Sequence, residues 1–230
     1  MKINLLDLGT MEYAECLELQ LRLRDMVGND GLDDILILVE HPPILTLGVR
    51  GGEENILAGK DILANLGIQV IQTKRGGDVT YHGPGQIVGY PIINLRRAGL
   101  GAKAYVEKIE AIFIDLLAAE YGIAAHKEDK EYTGVWVGDN KITAIGIHIS
   151  RMITMHGFAY NVNTHLEHFR LINPCGLSGR GVTSLAKLSG ETIDMEAAKK
   201  QLLKYFAQIF DAQISKLDVG DIIDGRDDQT

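Results

Sequence analysis

The chain has 230 residues, 46% apolar and 23% charged, with a formal net charge of −8; this is the balance of an ordinary globular chain and excludes a collagen-like, coiled-coil or largely disordered protein. No basic surplus marks a nucleic-acid partner, and no apolar run is long enough to span a membrane, so neither partner is expected. The two cysteines, Cys16 and Cys175, lie in dissimilar contexts, and the opening MKINLLDLGT lacks the apolar core of a signal peptide; reduced thiols and a cytoplasmic setting are expected.

In chain order, Thr10 is expected to cap a helix over 11–27, with Ala14, Leu17 and Leu21 on one face and Gly28-Asn29 as its stop. The continuous apolar run 35–39 reads as a strand buried on both faces, and 44–47 as a second strand after His41-Pro42-Pro43. A short helix over 61–66 and a strand over 68–73 lead into a glycine-rich loop at 75–86. The next strand, 87–95, contains Pro91, which places it near an edge or a bulge. Tyr105, Ile109, Ile112, Phe113, Leu116 and Leu117 recur at helical spacing and define a helix over 103–121. Residues 134–137 and 141–149 around Gly138-Asp139-Asn140 read as a hairpin, followed by a strand over 153–162. Asp194 caps a final helix reaching about 210, buried along Ala198, Leu202, Phe206, Ile209 and Phe210.

Strands in groups with a few helices between them predict an α+β fold, with a mixed or antiparallel sheet core and flanking helices. A single domain is expected over 1–215. Beyond it, five aspartates from Asp218 onward stand against Arg226 alone and carry half of the net negative charge, so 216–230 reads as an acidic tail.

Three segments hold residues that a packed core does not need. In Arg75-Gly76-Gly77-Asp78-Val79-Thr80-Tyr81-His82-Gly83-Pro84-Gly85-Gln86, four glycines and a proline let the backbone approach a ligand closely; the plainer reading is a long hairpin connection. It matches neither a phosphate-cradling loop nor a dinucleotide fingerprint. Lys141 opens a strand beside apolar neighbours; it is either a solvated turn charge or, if desolvated in a pocket, a proton carrier. Cys175 sits between Pro174 and Gly176, where a turn presents its sulfur to a substrate, against the alternative of an inert buried thiol. His156, His165 and His168 with Cys175 lack the spacing of a zinc site, and no metal is expected. A Cys175–His82 pair is a more reasonable nucleophile and base.

In this order, Glu40-His41-Pro42-Pro43, the 75–86 loop, 134–146 with Lys141, and 172–176 together resemble the octanoyltransferase family, the lipoyl(octanoyl) transferases of the lipoate–protein and biotin–protein ligase superfamily. The likeness covers roughly residues 5 to 210. It implies a biotin/lipoate protein ligase-like catalytic domain and acyl transfer in lipoate biosynthesis, with no cofactor. The implied donor is octanoyl-acyl carrier protein. The implied acceptor is a lysine on the lipoyl domain of a 2-oxoacid dehydrogenase complex or on the glycine cleavage H protein. By this resemblance Cys175 is the nucleophile that carries the octanoyl thioester, and Lys141 is its acid/base. The octanoyl pocket would come from Arg75 through His82, from Ala144, Ile145 and Gly146, and from Gly157, Phe158 and Ala159. An ATP-dependent lipoate–protein ligase is the main alternative, although it does not need the thiol in Asn173-Pro174-Cys175-Gly176. A non-catalytic module binding lipoyl domains or carrier proteins is the other, and it needs neither Cys175 nor Lys141. An acidic carrier requires a local positive patch on a negative protein, and Lys74, Arg75, Arg96, Arg97 and Lys103 are the densest basic grouping.

Overall fold

The computed structural model describes residues 1–29, 31–128, 132–173, 180–218 and 220. The chain begins with a strand, β1 (Lys2–Thr10), not with the capped helix expected from Thr10. Thr10 instead closes that strand opposite Glu40, and α1 (Tyr13–Gly28) starts after Glu12 with no side-chain cap. The elements β2 (Asp34–Glu40), β3 (Ile44–Leu47), α2 (Lys60–Asn65) and β4 (Gln69–Gln72) follow close to their expected places. Inside the glycine-rich stretch read as a loop lies β5 (Val79–His82), which pairs antiparallel with β3.

Next come β6 (Gln86–Ile92), α3 (Ala102–Tyr121), β7 (His126–Lys127), β8 (Gly134–Val137), β9 (Asn140–Ser150) and β10 (Ile153–Asn161). After them are β11 (Gly181–Val182), α4 (Leu185–Ser189), α5 (Met195–Phe210) and β12 (Gln213–Lys216). The sequence reading did not include β7, β11, α4 or β12. Asp194 caps α5 as expected, accepting from the N–H groups of Glu196 and Ala197.

The main sheet runs β12-β1-β2-β6-β10-β9-β8-β7, with β11 beside β9, and a second small sheet runs β4-β3-β5. β1 is parallel to both its neighbours, and the strands from β2 across to β7 pair antiparallel. The fold is therefore α+β with a mixed sheet. Leu36 and Leu38 face one side, with α3 and α5, and Ile35, Ile37 and Val39 face the other, with α1; this is why the 35–39 run is apolar without alternation.

Pro91 lies in β6, a central strand, not an edge. It is tolerated because the β10–β6 ladder pairs only as far as Phe158↔Gly89, so the missing N–H faces a lapse in the pairing. Beside that lapse His156 has φ +55. Among the described residues no helix is long and apolar enough to cross a membrane.

Candidate active site

A cavity of about 470 Å³ lies between the main sheet and the small sheet, within the size range of small-ligand sites. Its floor is the α1-side face of β9 and β10, where Ala144 pairs with Ala159 and Gly146 with Gly157. Small side chains at these four positions leave the space. Its roof is the 75–77 loop and β5. The loop is docked directly on the floor: Gly76 N–H donates to the Ile147 carbonyl at 2.9 Å. A Cβ on Gly146 would stand 2.8 Å from the Gly76 oxygen, so the approach of loop to strand requires a glycine there.

One end of the cavity is closed by Tyr13, His82, Tyr90 and His156, all buried. Tyr13 stacks on His82 with centroids 5.8 Å apart and tilts against His41 at 5.1 Å. Hydrogen bonds fix the imidazoles. His41 Nδ1–H donates to the Met11 carbonyl at 2.7 Å, leaving Nε2 to accept from Tyr90 at 2.8 Å. His82 Nδ1–H donates to Gln86 Oε1 at 2.8 Å, while Gln86 Nε2 donates to Asn161; this network sets the tautomer. Burial, aided by neighbouring His41, pushes the His82 pKa down to about 3, and burial pushes His41 and His156 down to about 4. All three are neutral near pH 7. Among the described residues, His156 Nδ1 and Gln20 Nε2 have no partner. Arg75, also buried, donates from Nε to Thr46 Oγ1 at 3.0 Å and so ties the loop to β3.

Lys141 stands toward the other end, and exposed Arg50 and Arg170 also line the cavity. From Lys141 to Ile147, which pairs with His156, is six residues of β9, about 20 Å of strand. Lys141 Nζ donates to the Thr133 carbonyl at 3.3 Å and lies 4.8 Å above the Trp136 ring. Arg180 stacks on the same indole at 5.0 Å and on Tyr132 at 4.9 Å, with Glu128 3.4 Å from its guanidinium. Asn173, whose N–H donates to the Asn55 carbonyl at 2.8 Å, lines the cavity too.

The structure thus gathers Lys141, Arg75, Gly76, Gly77, Asp78, Val79, Thr80, His82, Ala144, Ile145, Gly146, Gly157, Phe158 and Ala159 around one cavity. Tyr81 does not line it. Strand alternation turns its ring to the opposite face of β5, where it packs with Leu45 and Leu63 and bonds His168 at 2.8 Å. Cys175 lies outside the described residues, as does most of the acidic tail. Cys16 is buried in α1 with its thiol pushed up to about 12 by burial, an inert packing residue. Of the basic grouping Lys74, Arg75, Arg96, Arg97 and Lys103, Arg75 is buried and Arg97 is bound 2.6 Å from buried Asp34, while Lys74, Arg96 and Lys103 are exposed. Sequence reading missed Tyr13, Trp136 and Arg180. Trp136, the sole tryptophan, sits just before the Gly138-Asp139-Asn140 turn and offered the one usable signal.

Residues 12–207 match the model of the lipoyl protein ligase A/B catalytic domain. An octanoyltransferase of Caldicellulosiruptor saccharolyticus is 51% identical over 97% of this chain and 96% of its own length. One from Desulforamulus reducens is 49% identical over 95% of each chain. Among solved structures, lipoate-protein ligase A bound with ATP superposes with a TM-score of 0.77 at 15% identity, covering 95% of this chain and 90% of the other. A biotin protein ligase from Aquifex aeolicus gives 0.54 at 14% identity, covering 92% and 70%. At such identities these two likenesses speak to the fold alone.

Proposed function

Because this chain belongs to the lipoyl protein ligase A/B catalytic-domain family, we propose that it carries an octanoyl group from octanoyl-acyl carrier protein to a lysine of a lipoyl domain, through a thioester on Cys175. It is an acyltransferase. The reading is carried by one observation: Lys141 lines the same cavity as Asn173 and Arg180, the two residues that flank 174–179. Cys175 belongs to that stretch of sequence.

In the first step the Cys175 thiolate attacks the donor carbonyl. The bond to the carrier sulfur breaks, and the Lys141 ammonium gives that sulfur its proton. In the second step the acceptor amine attacks the Cys175 thioester and loses a proton to the now neutral Lys141. A C–N bond forms, and Cys175 leaves as the thiolate. One thioester is exchanged for another and then for an amide, so no ATP is needed. An ammonium beside the thiol favours the thiolate. The low pKa of His82, about 3, makes it a poor base at neutral pH, which favours Lys141 over a Cys175–His82 pair.

Incubation with octanoyl-acyl carrier protein and no ATP tests this reading. One octanoyl mass is expected on the wild type and on Cys16→Ala, removable by hydroxylamine, and none on Cys175→Ala. A requirement for ATP, or an adduct that persists in Cys175→Ala, would point to a ligase or to another nucleophile and overturn it.

The small residues of the floor predict chain-length selection. Two fewer carbons should lower wild-type kcat/KM by about 15-fold, at ~0.8 kcal/mol per buried methylene. Ala144→Val fills part of the floor and should narrow the gap between eight- and six-carbon donors. Equal losses on both donors would show that the acyl chain lies elsewhere.

A further inference from the structure

We propose that Asp78, which the sequence resemblance places among the octanoyl contacts, is a positioning residue that holds Asn173 at the wall of the cavity through Asn55. The proposal rests on the reading that the sequence following Asn173 carries the nucleophile. Asp78 is 7% exposed, and a carboxylate is costly in such a place unless hydrogen bonds satisfy it. Both of its oxygens accept from Asn55 Nδ2 at 2.9 Å, and Oδ1 also accepts from the Val79 N–H at 2.6 Å. Hydrogen bonds to a carboxylate are about twice as strong as neutral ones, so they define where Asn55 sits.

Asn55 passes the constraint on through its backbone. It ends a short 3-10 turn, Glu53–Asn55, in which its N–H donates to the Gly52 carbonyl at 3.1 Å. Its own carbonyl accepts from the Asn173 N–H at 2.8 Å. Ile56 pairs antiparallel with Ile172, and the Leu57 N–H donates to the Leu171 carbonyl at 2.8 Å. Residues 55–57 and 171–173 are thus joined backbone to backbone, and the Asp78 carboxylate sets the place of that join.

Asp78 is in turn fixed to the roof of the cavity. The N–H groups of Gly48, Val49 and Arg50 donate to the carbonyls of Asp78, Arg75 and Gly77 at 3.0 to 3.1 Å. A Cβ on Gly48 would stand 2.3 Å from the Gly77 oxygen, and one on Gly51 would stand 3.0 Å from Asp78 Oδ1. The chain at 48–55 can wrap the loop this closely because those positions are glycines. Since the Gly76 N–H is bonded to the Ile147 carbonyl, hydrogen bonds connect the β9 floor, the roof loop and Asn173. A second tie lies a few residues upstream, where His168 Nδ1 is bonded to Tyr81 Oη at 2.8 Å. Asp78 and Tyr81 therefore hold 168–173 between them. Sequence spacing gave no hint of this, since Asn55 reads as one polar residue in a connection.

The test compares Asp78→Ala with Asn55→Ala, which removes the same pair of bonds from the other side and keeps the Asn55 carbonyl. Each should lower kcat by about 10–100-fold, the usual cost of a reacting group displaced by about an ångström. The donor KM and the preference for eight over six carbons should not change. Because both substitutions act through one pair of bonds, the double variant should be no worse than either single one. The direct readout is amide hydrogen exchange. At Asn173 it should quicken about ten-fold in both variants, roughly the worth of one such bond, and in Asn55→Ala it should stay constant at Gly76.

Unchanged kcat and unchanged exchange at Asn173 in both single variants would make Asp78 a folding residue only and overturn the proposal. So would losses that multiply in the double variant. A loss confined to KM or to chain-length preference would return Asp78 to substrate contact and overturn it too. Asn55 is only partly buried, so Asn55→Ala decides the matter if Asp78→Ala does not fold. Cys175→Ala run in parallel separates the two layers. If that variant keeps turnover, the thioester reading fails, while exchange at Asn173 still decides whether Asp78 holds this wall.

Discussion

Replacing Cys175 with alanine should abolish turnover, and replacing Lys141 with methionine should lower kcat by about 10²–10⁴, the usual range for loss of a general acid/base, with little change in the donor KM. Methionine keeps an apolar stem over Gly134 and against Trp136 and removes only the ammonium. Lys141→Arg divides the reaction further. Arginine supplies a permanent cation, which supports thiolate formation at Cys175, but it does not become a neutral base. That variant should accumulate the octanoyl-enzyme and stall before amide formation. Single-turnover mass spectrometry with donor alone, then with acceptor added, resolves the two steps. Turnover within ten-fold of wild type in Lys141→Met, or equal loss of both steps in Lys141→Arg, would remove Lys141 from the acid/base role.

What the sequence made legible follows from where each signal resides. The 35–39 run, the helical spacing of α3 and the Asp194 cap are local patterns tied to burial or to unpaired backbone N–H groups, and each element formed where its pattern lies. β1 was hidden because Thr10 resembles a cap, and only the pairing of Thr10 with Glu40 shows that its backbone is used in the sheet. β5 is four residues flanked by glycines, and the glycines dominate any reading of composition. β12 owes its existence to β1, 211 residues away, through parallel pairing. Short edge strands of this kind are set by tertiary context more than by their own propensity.

The site divides the same way. Glycine, lysine and histidine in improbable company mark the loop and the hairpin as chemical, and the cavity lies between them. Tyr13 and Arg180 reach the cavity by adjacency across elements, and nothing in their own neighbourhood sets them apart; Trp136 was marked only by being the sole tryptophan, beside a turn. Tyr81 shows the converse: it sits in the middle of the motif, yet strand alternation turns it to the other side. A motif fixes a stretch of chain; the packing of each side chain decides whether it meets the cavity.

Acidification from pH 6.5 toward 4 should destabilise this protein steeply, and the three buried imidazoles of the cavity's closed end are the reason. Folded His41 and His156 titrate at about 4 and His82 at about 3, in each case chiefly because burial disfavours the cation. The unfolded chain binds protons near 6.5. Between those values the unfolded state holds protons that the folded state does not, so stability rises with pH through the window and is lost as pH falls through it. Each histidine contributes up to about 1.4 kcal/mol per pH unit, or about 2 kcal/mol by pH 5, a large share of a typical 5–15 kcal/mol total. Asp34 and Glu110 lean the other way, because burial raises both, but their ordinary values of 3.8 and 4.5 start that opposing effect lower on the scale. Urea unfolding midpoints at pH 7.5, 6.5, 5.5 and 5.0 measure the slope. His156→Asn isolates one contributor, because asparagine tolerates the φ of +55 found there and does not titrate; it should flatten the slope by about one proton's worth. An acid limb of the activity profile that tracks this unfolding, and not a kinetic pKa, follows from the same three neutral rings. A midpoint that stays constant from pH 7.5 to 5.0 would mean that water reaches them.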